Sequence, residues 1–248
     1  MITFETAVWI WIAIAIITFS YLVFSGVRAP YGRHSSKSWG PMIANKWGWF
    51  LMELPAFLIC PLLAIIGPVQ LDLVSWIAVG LWSVHYFNRV FLFPFKIKTK
   101  GKKMPWFIVI SAMLFNGVNG FLNGYFFGFI GTASQSVLSM NVIIGILVFF
   151  GGMYINTKTD RLLIALRKKQ AGYQIPRGWL FKYISCPNHF GEIVEWIGFA
   201  ILAWNLPALS FAIWTFCNLV PRALNHHNWY QEHFLDYPKR KAVMPYLF

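Results

Sequence analysis

Residues Thr6–Gly26 read TAVWIWIAIAIITFSYLVFSG, a run of 21 positions without one charged side chain. A helix of that length rises about 30 Å, the thickness of a bilayer's hydrocarbon core. The run is apolar on every side, so a helix made from it has no face to turn to water. Six further apolar stretches follow, at 48–67, 73–95, 105–130, 137–156, 190–204 and 206–224. The tight Asn205-Leu206-Pro207 junction between the last two suits a helical hairpin. The expected fold is therefore an all-α integral membrane protein with seven transmembrane helices. The opening Met-Ile-Thr-Phe-Glu has no basic region of the signal-peptide kind, so the first helix is expected to stay in the mature protein.

The composition excludes the other broad classes. Charged residues make up 12% of the 248-residue chain and hydrophobic ones 58%, against about 25% charged in soluble domains. So few charges cannot cover a water-facing surface, and so many aromatics (19%) do not belong to a disordered chain. Cys60, Cys186 and Cys217 are odd in number and far apart, which suits packing and not a disulfide framework.

A net charge of +13 invites a nucleic-acid reading, but its distribution argues for a membrane. One segment carries Arg28, Arg33, Lys37 and Lys46, and a second carries Lys96, Lys98, Lys100, Lys102 and Lys103. A third carries Lys158, Arg161, Arg167, Lys168, Lys169, Arg177 and Lys182, and the C-terminal part carries Arg222, Lys239, Arg240 and Lys241. The remaining basic residue, Arg89, lies inside span 3. Positive charge collects on the cytoplasmic side, which puts the N-terminus outside and the C-terminus in the cytoplasm. Seven spans give the same answer. A bilayer and not nucleic acid is the expected partner, in a bacterial inner membrane or the endoplasmic reticulum, with a single chain as the unit. One domain, 1–248, is expected, with an ordered cytoplasmic loop at 157–189 whose Tyr173, Trp179, Phe181 and Tyr183 are too many aromatics for a mere linker.

Ionisable groups inside a span are costly and usually face a cavity or a partner. Glu53 sits near the middle of span 2. Tyr86 and Arg89 share a helix face in span 3, and Glu192 and Glu195 do so in span 6. Asn116, Asn119 and Asn123 draw a polar stripe along span 4, which serves equally as interhelical glue; Arg89 has the alternative of reaching out toward the basic loop. The series Gly117, Gly120, Gly124 and Gly128 suits close helix packing. Nearer the cytoplasm, Asn156, Asp160 and Arg167 form one helical stripe, and Arg222, His226 and Tyr230 another, fit for an anionic nucleotide. His226, His227, Glu232 and His233 lack the spacing of a zinc or di-iron set, so no metal is expected. No Gly-x-Gly-x-x-Gly or Gly-x-Ser-x-Gly motif occurs. These residues alone describe a seven-helix protein with a polar intramembrane cavity and a cationic mouth, and a transporter fits that description as well as an enzyme.

The tail goes further. The run from Arg222 through His226, Tyr230, Tyr237 and Arg240 to Phe248 resembles the C-terminus of the steroid 5α-reductase family. So do Ile175-Pro-Arg-Gly-Trp-Leu-Phe-Lys-Tyr-Ile-Ser185, the Asn188-His-Phe-Gly-Glu192-Ile-Val-Glu195 run and the Asn156, Asp160, Arg167 set. Upstream, Glu53-Leu-Pro and His85-Tyr86-Phe-Asn-Arg89 match as well. The resemblance covers roughly 47–248 and is strongest after 150. It implies an NADPH-dependent membrane oxidoreductase that delivers hydride to the β carbon of a conjugated enone, typically the Δ4 bond of a 3-oxo steroid. It assigns Tyr86 and Glu53 to the substrate carbonyl, with Asn116 and Asn119 in the substrate pocket. To NADPH it assigns Arg89, Asn156, Asp160, Arg167, Tyr173, Asn188, Glu192, Arg222, His226 and Tyr230. Met52 stands where family members often carry Gln, and 96–104 is a Lys-rich variant of a family loop. Both departures bear on the acceptor, for which a polyprenol, another isoprenoid or a sterol is the alternative. An isoprenylcysteine methyltransferase-like enzyme shares the C-terminal pattern, but the Glu53-Leu-Pro and His85-Tyr86 motifs favour the reductase.

Overall fold

The computed structural model describes residues 2–27, 35–97, 101–131, 135–169 and 172–245. Arg28, Arg33, Lys98 and Lys100 of the basic loops, and Tyr246, Leu247 and Phe248 of the tail, lie outside the described residues. Eight helices carry the described chain: α1 (Phe4–Phe24), α2 (Asn45–Ile66), α3 (Leu73–Phe87), α4 (Phe93–Lys96), α5 (Trp106–Tyr125), α6 (Met140–Lys169), α7 (Pro187–Ala203) and α8 (Leu206–His233). A two-stranded antiparallel sheet joins β1 (Met42–Ala44) to β2 (Lys103–Pro105). Pi-helical turns at Asn88–Leu92 and Phe126–Ile130 extend α3 and α5.

The helices Phe4–Phe24, Asn45–Ile66, Trp106–Ile130 and Met140–Lys168 are each long and apolar enough to cross a membrane. The other three stretches read as spans fall on α3, α7 and α8. Along α1, Val8, Ile12 and Ala15 are buried, yet the opposite side exposes Ile10, Ile14, Ile17 and Phe24. A helix as apolar outside as inside fits hydrocarbon and not water.

Helix α6 does not stop at residue 156. Residues 157–169, read from sequence as the start of a loop, are helical, because Arg161-Leu-Leu-Ile-Ala-Leu-Arg167 contains good helix formers and neither Gly nor Pro. Asn156, just before that extension, and Asp160, within it, lie one helical turn apart.

The chain divides into two compact units. One comprises Ala29–Ile143 and Ile201–Ala208. Its centre is the packing of α2 on α5, and the glycine series makes that approach possible. A Cβ at Gly124 would stand 2.6 Å from the Cys60 carbonyl oxygen, and one at Gly120 would stand 3.3 Å from the Ala56 Cα. Gly128 likewise faces the main chain of Leu63, while Gly117 has room. Beside this seam Met52, Met104 and Val109 form an apolar cluster, so the Met52 side chain packs as a core residue.

The second unit comprises Met1–Arg28, Ile144–Ala200 and Leu209–Phe248. Here α6 and α7 touch backbone to backbone through Gly152, Gly191 and Gly198. Ile193, Leu219, Val220 and Ala223 form the core with Cys186, Ala242 and Val243. The tail reaches that core as a strap: Ser185 N and Cys186 N donate to the carbonyls of Lys241 and Ala242, and Lys241 N donates to Tyr183 O.

Candidate active site

In the α2–α5 unit, four polar side chains meet within an apolar surround. The Asn116 Nδ2 on α5 donates to the Met52 carbonyl at 2.7 Å and to Glu53 Oε2 at 3.1 Å. The Tyr86 hydroxyl donates to Asn116 Oδ1 at 3.3 Å. Arg89 Nη2 lies 3.7 Å from Glu53 Oε1. Tyr86 is 3% exposed and Arg89 8%, so these groups meet with little water between them.

Local structure explains each position. Pro55 lacks an N–H and opens the helix around the preceding turn, and the Met52 carbonyl that accepts from Asn116 lies in that turn. Trp82, one turn before Tyr86, donates its Nε1 proton to Ala56 O at 2.9 Å and packs its ring 5.0 Å from that of Tyr86. This ties α3 to α2 and holds the phenol. Arg89 lies in the first part of the π-helical turn, and its guanidinium lies 5.1 Å from the Trp49 ring and 4.5 Å from the Phe93 ring. Cation–π contact and the Glu53 carboxylate together compensate a buried guanidinium. The side chain thus lies against Glu53 instead of reaching out to the basic loop. Asn119 and Asn123 turn their Nδ2 groups back to Phe115 O and Asn119 O of their own helix. Asn116 is the member of the asparagine stripe that donates to Met52 O and Glu53 Oε2 of α2. Trp49, Phe93 and Trp82 were not singled out from sequence. An Arg spaced one turn from a Tyr, with aromatics on either side, was the available signal.

In the other unit, Asn156 Nδ2 donates to Asn188 O at 3.1 Å and to Glu192 Oε2 at 3.2 Å. Asn156, Asn188 and Glu192 are therefore brought together where α6 and α7 approach. Asp160 follows one turn on, half-buried. Arg167 is exposed two turns further and makes no hydrogen bond to that cluster among the described residues. Tyr173 packs edge-on to Trp229 at 5.1 Å, beside Tyr230, whose ring stacks on Tyr237 at 5.2 Å. On α8, Arg222 is half-buried and His226 faces His189 with ring centres 5.8 Å apart. Thr159 Oγ1 and Gln174 Nε2 are sealed from solvent without a hydrogen-bond partner, one beside Asp160 and the other beside Tyr173. Neither was foreseen.

The tail adds a network that the sequence motifs contained but did not explain. Arg240 donates from Nε and Nη2 to the Tyr237 oxygen at 2.9 and 2.7 Å, and from Nη1 to Pro176 O and Phe181 O. Two donors fill the acceptor positions of Tyr237, so its own proton goes to Ser185 Oγ at 2.7 Å. Ser185 Oγ donates to Lys241 O at 3.1 Å and lies within hydrogen-bond reach of His227 Nδ1, at 2.7 Å. Burial, followed by the charges of Arg240 and Lys241, lowers the His227 pKa and favours the neutral ring. A depressed folded-state value means that the unfolded chain takes up the proton first as pH falls. Stability from this source is complete above the ordinary histidine range and is lost on acidification. The purified protein should melt progressively lower from about pH 7 to about pH 5, and His227→Gln should flatten that slope in a thermal-shift titration.

Among the described residues, no group of three or more His, Cys, Asp and Glu side chains could hold a metal ion. His227 faces Ser185, and His233 stacks on Trp229 with Nδ1 2.9 Å from its carbonyl oxygen, so the histidines of the tail do not converge.

Residues 102–248 match the family model described as 3-oxo-5-alpha-steroid 4-dehydrogenase. The chain is 37% identical over 243 residues to steroid 5-alpha-reductase DET2 of Gossypium hirsutum, covering 95% of this chain and 93% of the relative. It is 39% identical over 236 residues to 3-oxo-5-alpha-steroid 4-dehydrogenase 1 of Bos taurus, covering 92% and 91%. With the mouse 3-oxo-5-alpha-steroid 4-dehydrogenase 2 it shares 37% over 239 residues, covering 90% and 89%. A family model over more than half of the chain and relatives of this identity along nearly its whole length lead to one conclusion: the chain belongs to the steroid 5α-reductase, or 3-oxo-5-alpha-steroid 4-dehydrogenase, family of oxidoreductases.

Proposed function

We propose that the protein reduces the Δ4 double bond of a 3-oxo steroid to give the 5α-reduced 3-oxo steroid, with NADPH as reductant. The observation that carries this reading is the buried Glu53–Asn116–Tyr86 chain, which ends in a hydroxyl donor and is flanked by Arg89. Family membership supplies the reaction class.

When bound, NADPH supplies a hydride to the β carbon of the enone. Tyr86 donates to the carbonyl oxygen, where negative charge grows as that bond forms, and a donor fixed in advance in a dry site stabilises the developing enolate. Glu53 orients and polarises that donor. Arg89 holds the carboxylate and keeps its charge compensated. Asn119 stands with Asn116 along the pocket side of α5. The α carbon takes its proton ultimately from water.

The donor set of the α6–α8 unit fits a dinucleotide. Amides and carboxylates at Asn156, Asp160, Asn188 and Glu192 suit ribose hydroxyls and a carboxamide, while Arg167, Arg222 and His226 suit phosphates. Tyr173 and Tyr230 offer ring faces. The sealed and unsatisfied Thr159 Oγ1 and Gln174 Nε2 support the assignment, since buried polar atoms generally have partners. Replacing Arg222 by Ala removes a charged donor worth about 1.5–3 kcal/mol. Fluorescence titration should then give an NADPH Kd raised about 10- to 100-fold, with kcat at saturating NADPH little changed.

The whole chain acts as one membrane-embedded unit with seven spans, α3, α7 and α8 supplying those beyond the four long apolar helices. The N-terminus lies outside, and the C-terminus and cofactor residues face the cytoplasm, an orientation that the distribution of basic residues supports. The host is a bacterial inner membrane or the endoplasmic reticulum.

The test is NADPH oxidation by detergent-purified protein with a Δ4-3-oxo steroid, products being resolved by mass spectrometry. A product heavier by two hydrogens and formed only with NADPH is expected. Tight NADPH binding without steroid reduction would move the acceptor to a polyprenol or another enone. Folded protein that neither binds NADPH nor reduces the steroid would overturn the reading.

A further inference from the structure

Asn116 is tied on three sides, and the chemistry of its partners fixes which way it faces. Its Nδ2 donates to the Met52 carbonyl and to Glu53 Oε2. A peptide carbonyl and an ionised carboxylate only accept, so the amide cannot turn over without setting oxygen against oxygen at both contacts. Oδ1 is thereby held toward Tyr86, whose hydroxyl donates to it at 3.3 Å. Asn116 is 5% exposed, and its neighbours Asn119 and Asn123 along the stripe return their amide nitrogens to α5 itself.

We propose that Asn116 is the positioning residue of the site: its amide couples Glu53 on α2 to Tyr86 on α3 and sets the direction of the phenol hydroxyl before substrate enters. The inference rests on the reading that Tyr86 donates to the enone carbonyl, and it specifies how that donor is aimed. At 3.3 Å the Tyr86–Asn116 bond is longer than the 2.7–2.8 Å usual for an O–H···O bond. It steadies the ring and gives way to a stronger acceptor. A carbonyl oxygen gaining negative charge is such an acceptor, whereas a neutral amide oxygen is not. Asn116 also occupies one oxygen of Glu53 while Arg89 faces the other, so the carboxylate keeps its orientation when the hydroxyl turns to the substrate.

The experiment compares the parent with Asn116→Ser and Asn116→Asp, each purified in detergent and first shown by NADPH titration and thermal melting to be folded. Steroid reduction is then followed as kcat and KM across pH. Asn116→Ser removes both ends of the bridge, and kcat should fall about 10- to 100-fold while KM stays within about threefold. Asn116→Asp keeps an acceptor toward Tyr86 but sets a carboxylate against Glu53. Its kcat relative to the parent should rise as pH is lowered from about 8 to about 6, because the protonated carboxyl donates where the amide did. A residue that merely fills space would give the same ratio at every pH. Turnover within about threefold of the parent in both variants, or a pH-independent ratio for Asn116→Asp, would overturn the proposal. If Asn116→Asp is not recovered folded, the serine variant decides: a fall in kcat at constant KM supports the role, and a rise in KM alone removes it. A parent that leaves the steroid unreduced overturns the functional reading itself. That result is distinct from an active parent with equally active variants.

Discussion

Tyr86→Phe should lower kcat for steroid reduction about 10²- to 10³-fold, the usual cost of deleting one donor to a developing oxyanion. The change removes a single oxygen from a ring that is 3% exposed and held between Trp82 and His85. Packing therefore survives. The donor to Asn116 Oδ1 is lost, and a hydrogen bond of this kind is worth on the order of 1 kcal/mol of stability, too little to unfold the enzyme. NADPH affinity should be unchanged, since the exchange leaves every residue assigned to the cofactor in place. Glu53→Gln tests the other end of the chain. It preserves the shape, removes the charge that faces Arg89, and should also cost most of the turnover at constant cofactor affinity. Single-turnover kinetics at saturating NADPH separates the chemical step from binding. Parent-like rates in both variants would remove the carbonyl-activating pair from the mechanism.

The residues of that site differ in how far the sequence revealed them. Glu53 and Arg89 stand out because an ionisable side chain in an apolar run has few places to go. The glycine row from 117 to 128 is equally open to reading, as it leaves a groove along one face of α5, and α2 fills it at Gly120, Gly124 and Gly128. The stripe of Asn116, Asn119 and Asn123 is visible as periodicity, but which member crosses to α2 is not. That depends on how α5 is rotated and how closely the glycines admit its neighbour. The π-helical turns at Asn88–Leu92 and Phe126–Ile130 are hidden too, because each is a local accommodation to packing and not a preference of its residues. The pairing of Met42–Ala44 with Lys103–Pro105 joins segments about sixty positions apart that carry no strand-like alternation. Arg240 illustrates a third case. Its motif is legible, yet its partners Pro176 O and Phe181 O are main-chain atoms of a remote segment, and no side-chain pattern announces them.

Gly191→Ala should destabilise the protein strongly, and Gly151→Ala, on the neighbouring helix, supplies the control. A Cβ at Gly191 would stand 2.5 Å from Asn156 N and 2.8 Å from Gly152 O. Both are main-chain atoms, so no side chain can swing aside, and α6 and α7 must part. Overpacking of side chains costs about 1–3 kcal/mol; a backbone contact should reach or exceed the top of that range. At Gly151 a Cβ meets nothing within 4 Å, and exchanging glycine for alanine inside a helix favours the fold by up to about 1 kcal/mol. The two substitutions thus add the same atom with opposite expected signs. The first also has a functional consequence. Parting α6 from α7 lengthens the bonds from Asn156 to Asn188 O and Glu192 Oε2, so NADPH affinity should fall together with the melting temperature. Thermal melting and NADPH titration of both variants provide the measurement. Equal melting temperatures would mean that the helices yield at this seam, and the backbone contact would then hold nothing in place.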